Sequence, residues 1–230
     1  MSPAEAQEAA DALEGAGAEE VLRFAVERFS PRIVLTCSWQ KQSSVLVHML
    51  SEIAPGTRVV ELDTGLLFPE TYETRERLMA RYPLRFERVT PELSVEEQAH
   101  EHGERLWERD PDRCCAMRKV APLQQALRDA DAWITGIRRQ QSSSRRDARK
   151  IEVDARRGVV KVQPLADWTN RDVWRYIWRH SIPYNPLHDH GFPSIGCVPC
   201  TQAVAGDASE RSGRWRGTGK IECGLHTRAG

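Results

Sequence analysis

Five of the six cysteines fall into groupings that carry chemistry. Cys197 and Cys200 form a C-x-x-C in GCVPC, Cys114 and Cys115 are adjacent in RCCAMRK, and Cys223 stands alone in ECGLH near the C-terminus. A C-x-x-C serves redox dithiols, zinc sites and iron–sulfur sites alike. Four thiolates drawn from two remote segments can build a tetrahedral zinc site or a cubane iron–sulfur cluster. Neighbouring cysteines must strain to meet on one zinc ion, whereas a cluster offers each a separate iron, so the pairing leans toward iron–sulfur. Cys114, Cys115, Cys197 and Cys200 are thus read as holding an inorganic centre, and Cys223 as the reactive thiol. The loop before it is cationic (Arg211, Arg214, Arg216, Lys220), and nearby cations raise a thiol's thiolate fraction. Gly224 leaves room for close approach, and His226 is a candidate proton donor, charge partner or solvated residue. Cys37 ends an apolar run and reads as a buried small hydrophobe.

These thiols need a scaffold, and the pattern supplies one. Residues 3–29 read as one or two helices broken near Gly15 and Gly17. Short apolar runs at 32–37, 58–62, 85–89 and 132–135 read as strands, with helices at 45–53, 69–81, 94–102 and 116–128. Alternating strands and helices imply a doubly wound, mostly parallel α/β sheet, in which ligands bind beyond the strands' carboxyl ends. SWQKQSS, with Ser38, Ser43 and Ser44, follows the first strand and sits where a phosphate loop would, although it lacks Walker glycines. Asp63-Thr64-Gly65 follows the second. After 132–135 comes a basic loop whose Arg138, Arg139 and Arg145 suit a phosphate or sulfate. Lys119 lies one helical turn past Cys115. Residues 151–153 and 159–162 read as a hairpin. Thr169–Arg179 reads as a helix with a Thr169/Asp172 capping box and Trp174, Ile177 and Trp178 as its apolar positions. Beyond Ser181 the periodicity fades into an irregular C-terminal arm. The expected division is an N-terminal helical segment 1–29, a nucleotide-binding unit 30–204 carrying the thiol centre, and the arm 205–230.

Thirty-three basic and thirty-three acidic residues give no net charge, which argues against a nucleic-acid partner. Charge is uneven locally: residues 137–150 hold six cations and one acid, and residues 211–220 hold four cations and no acid. Two basic patches in a neutral chain suit a small anion. No run of ~18 apolar residues predicts a membrane span. The N-terminus lacks a secretory pattern, so a cytoplasmic location is expected, where thiols more often bind metal or catalyse than form disulfides.

Taken together, LDTGLLFPETYETR (62–75), CCAMRKVAPL (114–123), WITGIRRQQS (133–142), KVQPLADWTNRDVW (161–174), IPYNPLHDHGFPSIGCVPCTQAV (182–204), GRW (213–215) and ECGLH (222–226) resemble the iron–sulfur adenosine 5′-phosphosulfate reductases among the assimilatory sulfonucleotide reductases. The resemblance covers roughly 30–228. It implies an adenine nucleotide alpha-hydrolase-like fold and a [4Fe–4S] cluster on Cys114, Cys115, Cys197 and Cys200. It also implies attack of Cys223 on the phosphosulfate sulfur, loss of AMP, and release of sulfite by thioredoxin or a similar dithiol protein. It carries Lys119, Arg211 and Arg214, with either Arg145 or Arg146, over as phosphosulfate contacts. The arm must move, since Cys223 has to meet first substrate and then a bulky protein. Oligomeric state is left open. Three alternatives remain at this point: a reductase preferring 3′-phosphoadenosine 5′-phosphosulfate, a non-enzymatic iron–sulfur or zinc redox sensor, and an ATP-using thiolation or adenylation enzyme. Cluster cysteines favour the unphosphorylated nucleotide over the first. A sensor leaves the DTG and arginine loops unexplained. The missing SGGKDS-type loop counts against cleavage of a triphosphate.

Overall fold

The computed structural model describes residues 1–205 and 209–226. The parts of the expected arm at 206–208 and 227–230 lie outside the described residues. Helices α1 (Pro3–Ala12) and α2 (Ala18–Phe29) lead into strand β1 (Ile33–Cys37), helix α3 (Lys41–Ile53), β2 (Arg58–Leu62), α4 (Pro69–Arg81) and β3 (Arg85–Val89). Then come α5 (Val95–His102), α6 (Leu106–Arg109), α7 (Pro111–Cys115), a π-turn at Ala116–Val120 and α8 (Ala121–Ala126). Strand β4 (Ala132–Ile134), the hairpin β5 (Ile151–Asp154) and β6 (Val159–Val162), and α9 (Asn170–Arg179) complete the regular elements.

The six strands form one sheet in the order β3-β2-β1-β4-β6-β5, parallel throughout except for the antiparallel edge strand β5. Successive residues of a strand face opposite sides, and the sequence supplies apolar residues to both. Ile33, Leu35 and Cys37 of β1 pack with α2, α3 and α9, while Val34 joins Val60, Trp133, Leu123 and Leu127 beneath α8. Burial on both faces explains why the strands read as continuous apolar runs. The N-terminal helices contribute Ala10, Val21, Leu22, Ala25 and Phe29 to the same core as the sheet. Among the described residues, no helix is long and apolar enough to cross a membrane.

Three local expectations need correction. Lys41–Ser44 are not loop but the buried first turn of α3, with Gln42 and Ser43 on the cavity, Lys41 paired with Glu210 and Ser44 bonded back to Gln40 O. The helix expected from Ala116 begins at Pro111, and its next turn is π rather than α. Pro122, which has no N–H to continue an α ladder, sits just beyond that turn. In α9 the Thr169/Asp172 capping box is present, but Val173 and Ile177 are the buried pair and Trp178 is 67 % exposed. The helix axis therefore turns a stripe different from the aromatic one toward the core.

Candidate active site

The chain runs from β1 outward through β2 and β3, then returns to place β4 on the other side of β1. The sheet order thus reverses between β1 and β4, and a crevice is expected outside the strands' carboxyl ends there. A cavity occupies that position. Ser38, Gln42 and Ser43 line it from the β1–α3 junction, Thr64 from the end of β2, and Thr135 and Gly136 from the end of β4. Lys119, Arg145, Arg211, Arg214, Cys223 and His226 complete its wall. The junction is held tightly. Trp39 takes a left-handed backbone (φ 56°) and buries its indole, whose Nε1 donates to Glu61 at 2.6 Å. Ser43 Oγ accepts the backbone N–H of Ser38 at 3.1 Å.

Beside this cavity lies a second, smaller one, lined by Cys114, Cys115, Cys197 and Cys200 with Leu66, Trp107, Arg118, Lys119 and Trp215. All four thiols are buried and free. Burial pushes Cys114, Cys115 and Cys200 up to about 11, and neighbouring thiols add to each shift, which places the sulfurs within electrostatic reach of one another. Burial also opposes ionisation of Cys197, but Lys119, the Thr64 hydroxyl at 3.3 Å and Arg214 outweigh it and hold this thiol below its usual range. Among the described residues, no three His, Cys, Asp or Glu side chains converge closely enough to hold a single metal ion. Four buried sulfurs lining one small cavity are a donor set that a thiolate-bound metal centre, zinc or iron–sulfur, can use.

The elements that shape this nest explain several residue choices. The π-turn, a local insertion common at functional sites, follows Cys115 directly and carries Arg118 and Lys119. Arg118 is 3 % exposed; its Nε donates to the Thr64 carbonyl at 2.6 Å and its Nη1 to Gln98 at 3.0 Å, which ties the DTG turn to the cysteine pair. Asp63 is used within that turn, accepting from Gly65 N at 3.0 Å and the Tyr72 hydroxyl at 2.8 Å. Gly196 precedes the C-x-x-C because a Cβ there would meet Arg214 Nη2 at 2.1 Å. Arg214 itself is 7 % exposed, donating through Nη1 to Ile195 O at 3.2 Å, with its guanidinium 4.5 Å from the Trp215 ring centroid.

Lys119 lines both cavities. Enclosure works against its charge, yet the thiols of Cys197, Cys223 and Cys115 hold its pKa above the usual value. Arg211 is lowered to about 10 by burial and then by Arg145, and stays cationic at neutral pH. Burial, then Lys161, Arg145, Arg211 and Arg157, keep His226 well below the usual imidazole range. The ring is therefore neutral; it stacks on Trp133 at 5.2 Å, and its buried Nδ1 has no partner. Thr135 Oγ1 and Arg211 Nε are likewise buried and unpartnered, so three polar atoms of residues lining the cavity have no partner among the described residues.

The other expected anion contacts lie elsewhere. Ser44 is fully buried and bonds back to Gln40 O at 3.4 Å. Arg138 is fully buried and pairs with Glu210. Arg139 reaches Glu14 and the Ala148 carbonyl, and Arg146 is exposed beside Asp147. Of Arg145 and Arg146, only Arg145 faces the cavity. Ser44, Asp63, Gly65, Arg138, Arg139 and Arg146 are absent from its wall. The residues that sequence reasoning missed are carboxylates of the arm. Glu210 accepts from Lys41 Nζ and Gln42 Nε2, both at 3.1 Å, and from Arg138. Glu222 accepts from Arg145 and Arg211. Each is an acid bordering the basic stretch 211–220, the one signal that could have pointed to them.

Residues 32–203 match the model of the phosphoadenosine phosphosulfate reductase domain. A protein of Geobacillus thermodenitrificans named adenosine 5′-phosphosulfate reductase is 47 % identical over 91 % of this chain and 90 % of its own length. Adenosine 5′-phosphosulfate reductase 1 of Bacillus subtilis is 47 % identical over 91 % of both. Among solved structures, phosphoadenylyl-sulfate reductase of Candida auris superposes with a TM-score of 0.72 at 32 % identity, over 86 % of this chain and 97 % of that one. An FMN adenylyltransferase of Candida glabrata shares the fold at a TM-score of 0.58 and 19 % identity, over 86 % of this chain and 63 % of that one.

Proposed function

The chain belongs to the phosphoadenosine phosphosulfate reductase family, and on that footing we propose that it reduces adenosine 5′-phosphosulfate to sulfite and AMP in sulfate assimilation. The observation that carries the reading is the meeting of Cys223 with Lys119, Arg211 and Arg214 in the crevice beyond β1, β2 and β4. Cys37 lines the same cavity but is pushed up to about 12 by burial, so Cys223, facing three cations, is the thiol suited to attack on an electrophilic sulfur whose leaving group is an anion. Cys223 Sγ bonds to the sulfonate sulfur as the S–O bond to the 5′-phosphate breaks, and AMP departs with that electron pair. Lys119, Arg211 and Arg214 meet the charge that builds on the phosphate oxygens. The neutral His226 and the hydroxyls of Ser38, Ser43, Thr64 and Thr135 offer uncharged hydrogen bonds to the nucleotide.

The S-sulfocysteine so formed is resolved by thioredoxin or a similar dithiol protein. One of its thiolates attacks Cys223 Sγ and expels sulfite, and its second thiol closes a disulfide that restores Cys223. The partner's two thiols supply the two electrons. Cys114, Cys115, Cys197 and Cys200 are the residues to hold a [4Fe–4S] cluster, which when bound supplies a rigid, charged centre next to Lys119. A dithiol reductant and six free thiols suit a cytoplasmic setting.

The test is to mix the as-isolated protein with adenosine 5′-phosphosulfate without reductant and map the added mass. Sulfonate on the peptide bearing Cys223, with one AMP per chain, is expected; sulfonate on any other cysteine overturns the assignment. Cys223→Ser is expected to keep iron and acid-labile sulfide and to form no sulfite.

A further inference from the structure

The connection from β4 to β5, residues 135–150, leaves the sheet, passes the cavity and returns. Gly136, Ile137, Gln141 and Arg145 line the cavity; Arg139 does not. It stands at the base of the loop. Its Nε donates to the Ala148 carbonyl at 2.8 Å, and its Nη2 to Glu14, just past α1. The first of these bonds joins the limb that leaves the sheet to the limb that returns. Each limb also has ties of its own. On the outgoing limb Arg138 pairs with Glu210, Arg139 N donates to Ala166 O at 2.8 Å, and Gln140 accepts from Asn170 N at 2.7 Å. On the returning limb Gln163 donates through Nε2 to Arg149 O at 2.7 Å and through its backbone N to Lys150 O at 2.8 Å.

Helix α1 stands behind both limbs. Ala6, Ala10 and Leu13 recur at helical spacing and are buried, so α1 has one apolar face, and it packs against β5. That docking brings its end to the loop. Glu14 receives Arg139, Asp11 receives Arg149, and the Ala16 carbonyl receives Lys150, which is fully buried and also pairs with Asp167 at 2.7 Å. The match to the reductase domain begins at residue 32, so this brace lies outside it. Arg139 and Glu14 are 32 % and 38 % exposed, and an ion pair so exposed adds little stability. Its consequence is geometric: the carboxylate holds one end of a planar guanidinium while the other end bonds Ala148 O.

We propose that Arg139 is a positioning residue that clamps the neck of this loop, braced by Glu14 behind it, and so holds Gln141 and Arg145 at the nucleotide cavity. The proposal rests on the reading of that cavity as the site for adenosine 5′-phosphosulfate. Arg145 is also held near its tip, by Gln141 at 2.6 Å and by Glu222 of the arm. Glu222 leaves with the arm whenever the arm lifts, whereas the neck bond joins two parts of the body and does not depend on the arm.

The experiment first compares amide hydrogen exchange in nucleotide-free wild type, Arg139→Met, Glu14→Gln and the double variant, each with its cluster. The reporters are the amides of Gln141, Arg145, Arg146 and Ala148, which bond to carbonyls within the loop. Losing a hydrogen bond from a charged donor shifts an equilibrium by about tenfold or more, so Arg139→Met is expected to speed their exchange about tenfold and to leave the amides of β1 and β2 unchanged. Glu14→Gln, a change at a partly exposed side chain that spares the core, is expected to speed it severalfold and to add nothing in Arg139→Met. The second readout is the dissociation constant of adenosine 5′-phosphosulfate, measured in a Cys223→Ser background where the nucleotide is not consumed. Arg139→Met is expected to weaken binding about tenfold, but less than twofold once Arg145→Gln is also present, because it acts through that residue. A role in general stability would cost the same factor in both backgrounds. Three results overturn the clamp: loop exchange within twofold of wild type in Arg139→Met, exchange in Glu14→Gln equal to wild type, or an equal loss of affinity with and without Arg145→Gln. Exchange needs no ligand, so a parent chain that binds no adenosine 5′-phosphosulfate defeats the functional reading and leaves the clamp to be judged separately.

Discussion

Glu210 offers the sharpest test of how the arm is held to the body. Its carboxylate faces Lys41, 3 % exposed, and Arg138, fully buried, so one anion compensates two enclosed cations. Glu210→Gln keeps the shape and removes the charge. Losing one partner of a buried pair costs ~3–5 kcal/mol. Part of the burden is carried by other acceptors, since Arg138 also donates to Trp168 O at 3.2 Å and Lys41 to Pro193 O at 3.3 Å. The low end, about 3 kcal/mol, is therefore expected, a factor on the order of 150 in the equilibrium. For a chain of this size that corresponds to a fall in Tm of roughly 6–12 °C, unless the arm lifts first and lets water reach both cations. In that case the loss appears as faster proteolysis within 205–230 at nearly unchanged Tm.

The pH dependence separates this effect from a packing defect. Burial opposes ionisation of Glu210, but Lys41 and Arg138 outweigh it and hold its pKa below the ordinary 4.5. A carboxylate with a depressed folded pKa contributes stability above its unfolded pKa and loses it as pH falls through the folded one. The gap between wild type and Glu210→Gln should thus stay constant from pH 6 to 8 and close only below about 4.5. His188, which accepts the Lys41 N–H at 3.3 Å, titrates at about 4 and feels Glu210, so the comparison is made in a His188→Gln background. A variant with Tm within 2 °C of wild type and unchanged protease resistance of the arm would refute the argument.

Two further outcomes are expected. Arg118→Met should strip three hydrogen bonds that join the Thr64 carbonyl, Ser94 and Gln98 to the cysteine-bearing turn; iron content per chain should drop by more than half, and full retention of iron would show that the turn is held by other contacts. His188 is lowered to about 4 by burial and then by Lys41. A depressed histidine favours the folded state above its unfolded pKa near 6.5 and withdraws that support as pH falls toward 4, so His188 adds about one proton to the slope with which urea-derived stability rises with pH, alongside His48 and His226, which are also lowered. His188→Gln should reduce the slope by about one proton, and equal slopes in the two proteins would count against it.

The thiols were legible because spacing alone groups cysteines, and the sheet because β1, β2 and β4 are short apolar runs with turn residues between them. What escaped was polar and buried. Lys41, Gln42, Ser43 and Ser44 look like loop, yet they are 3 %, 5 %, 4 % and 0 % exposed as the first turn of α3. A pattern rule that sends polar residues outward fails where a helix starts at a ligand cavity. Arg118 beside Lys119 reads as helix surface, and only the π-turn turns it under the DTG loop. Arg138, Arg139 and Arg145 look equivalent in sequence; acids at 210, 14 and 222, remote in the chain, decide which of them faces the cavity. Pairings over such separations leave no local trace.

Lys119 then explains why two cavities must sit side by side. Among the described residues it is the one cation that borders both the thiol nest and the crevice where Cys223 lies, and the π-turn that presents it follows Cys115 without a spacer. An ammonium so enclosed would tend to shed its proton, but the thiols of Cys197, Cys223 and Cys115 hold it charged. A cation kept charged in a site poor in water acts strongly on an anionic leaving group, because little solvent screens it. Cys197, the thiol of the nest held below its usual range by Lys119 first, is the lysine's counter-charge as well as a donor, and the π-turn brings the two together beside the nucleotide crevice.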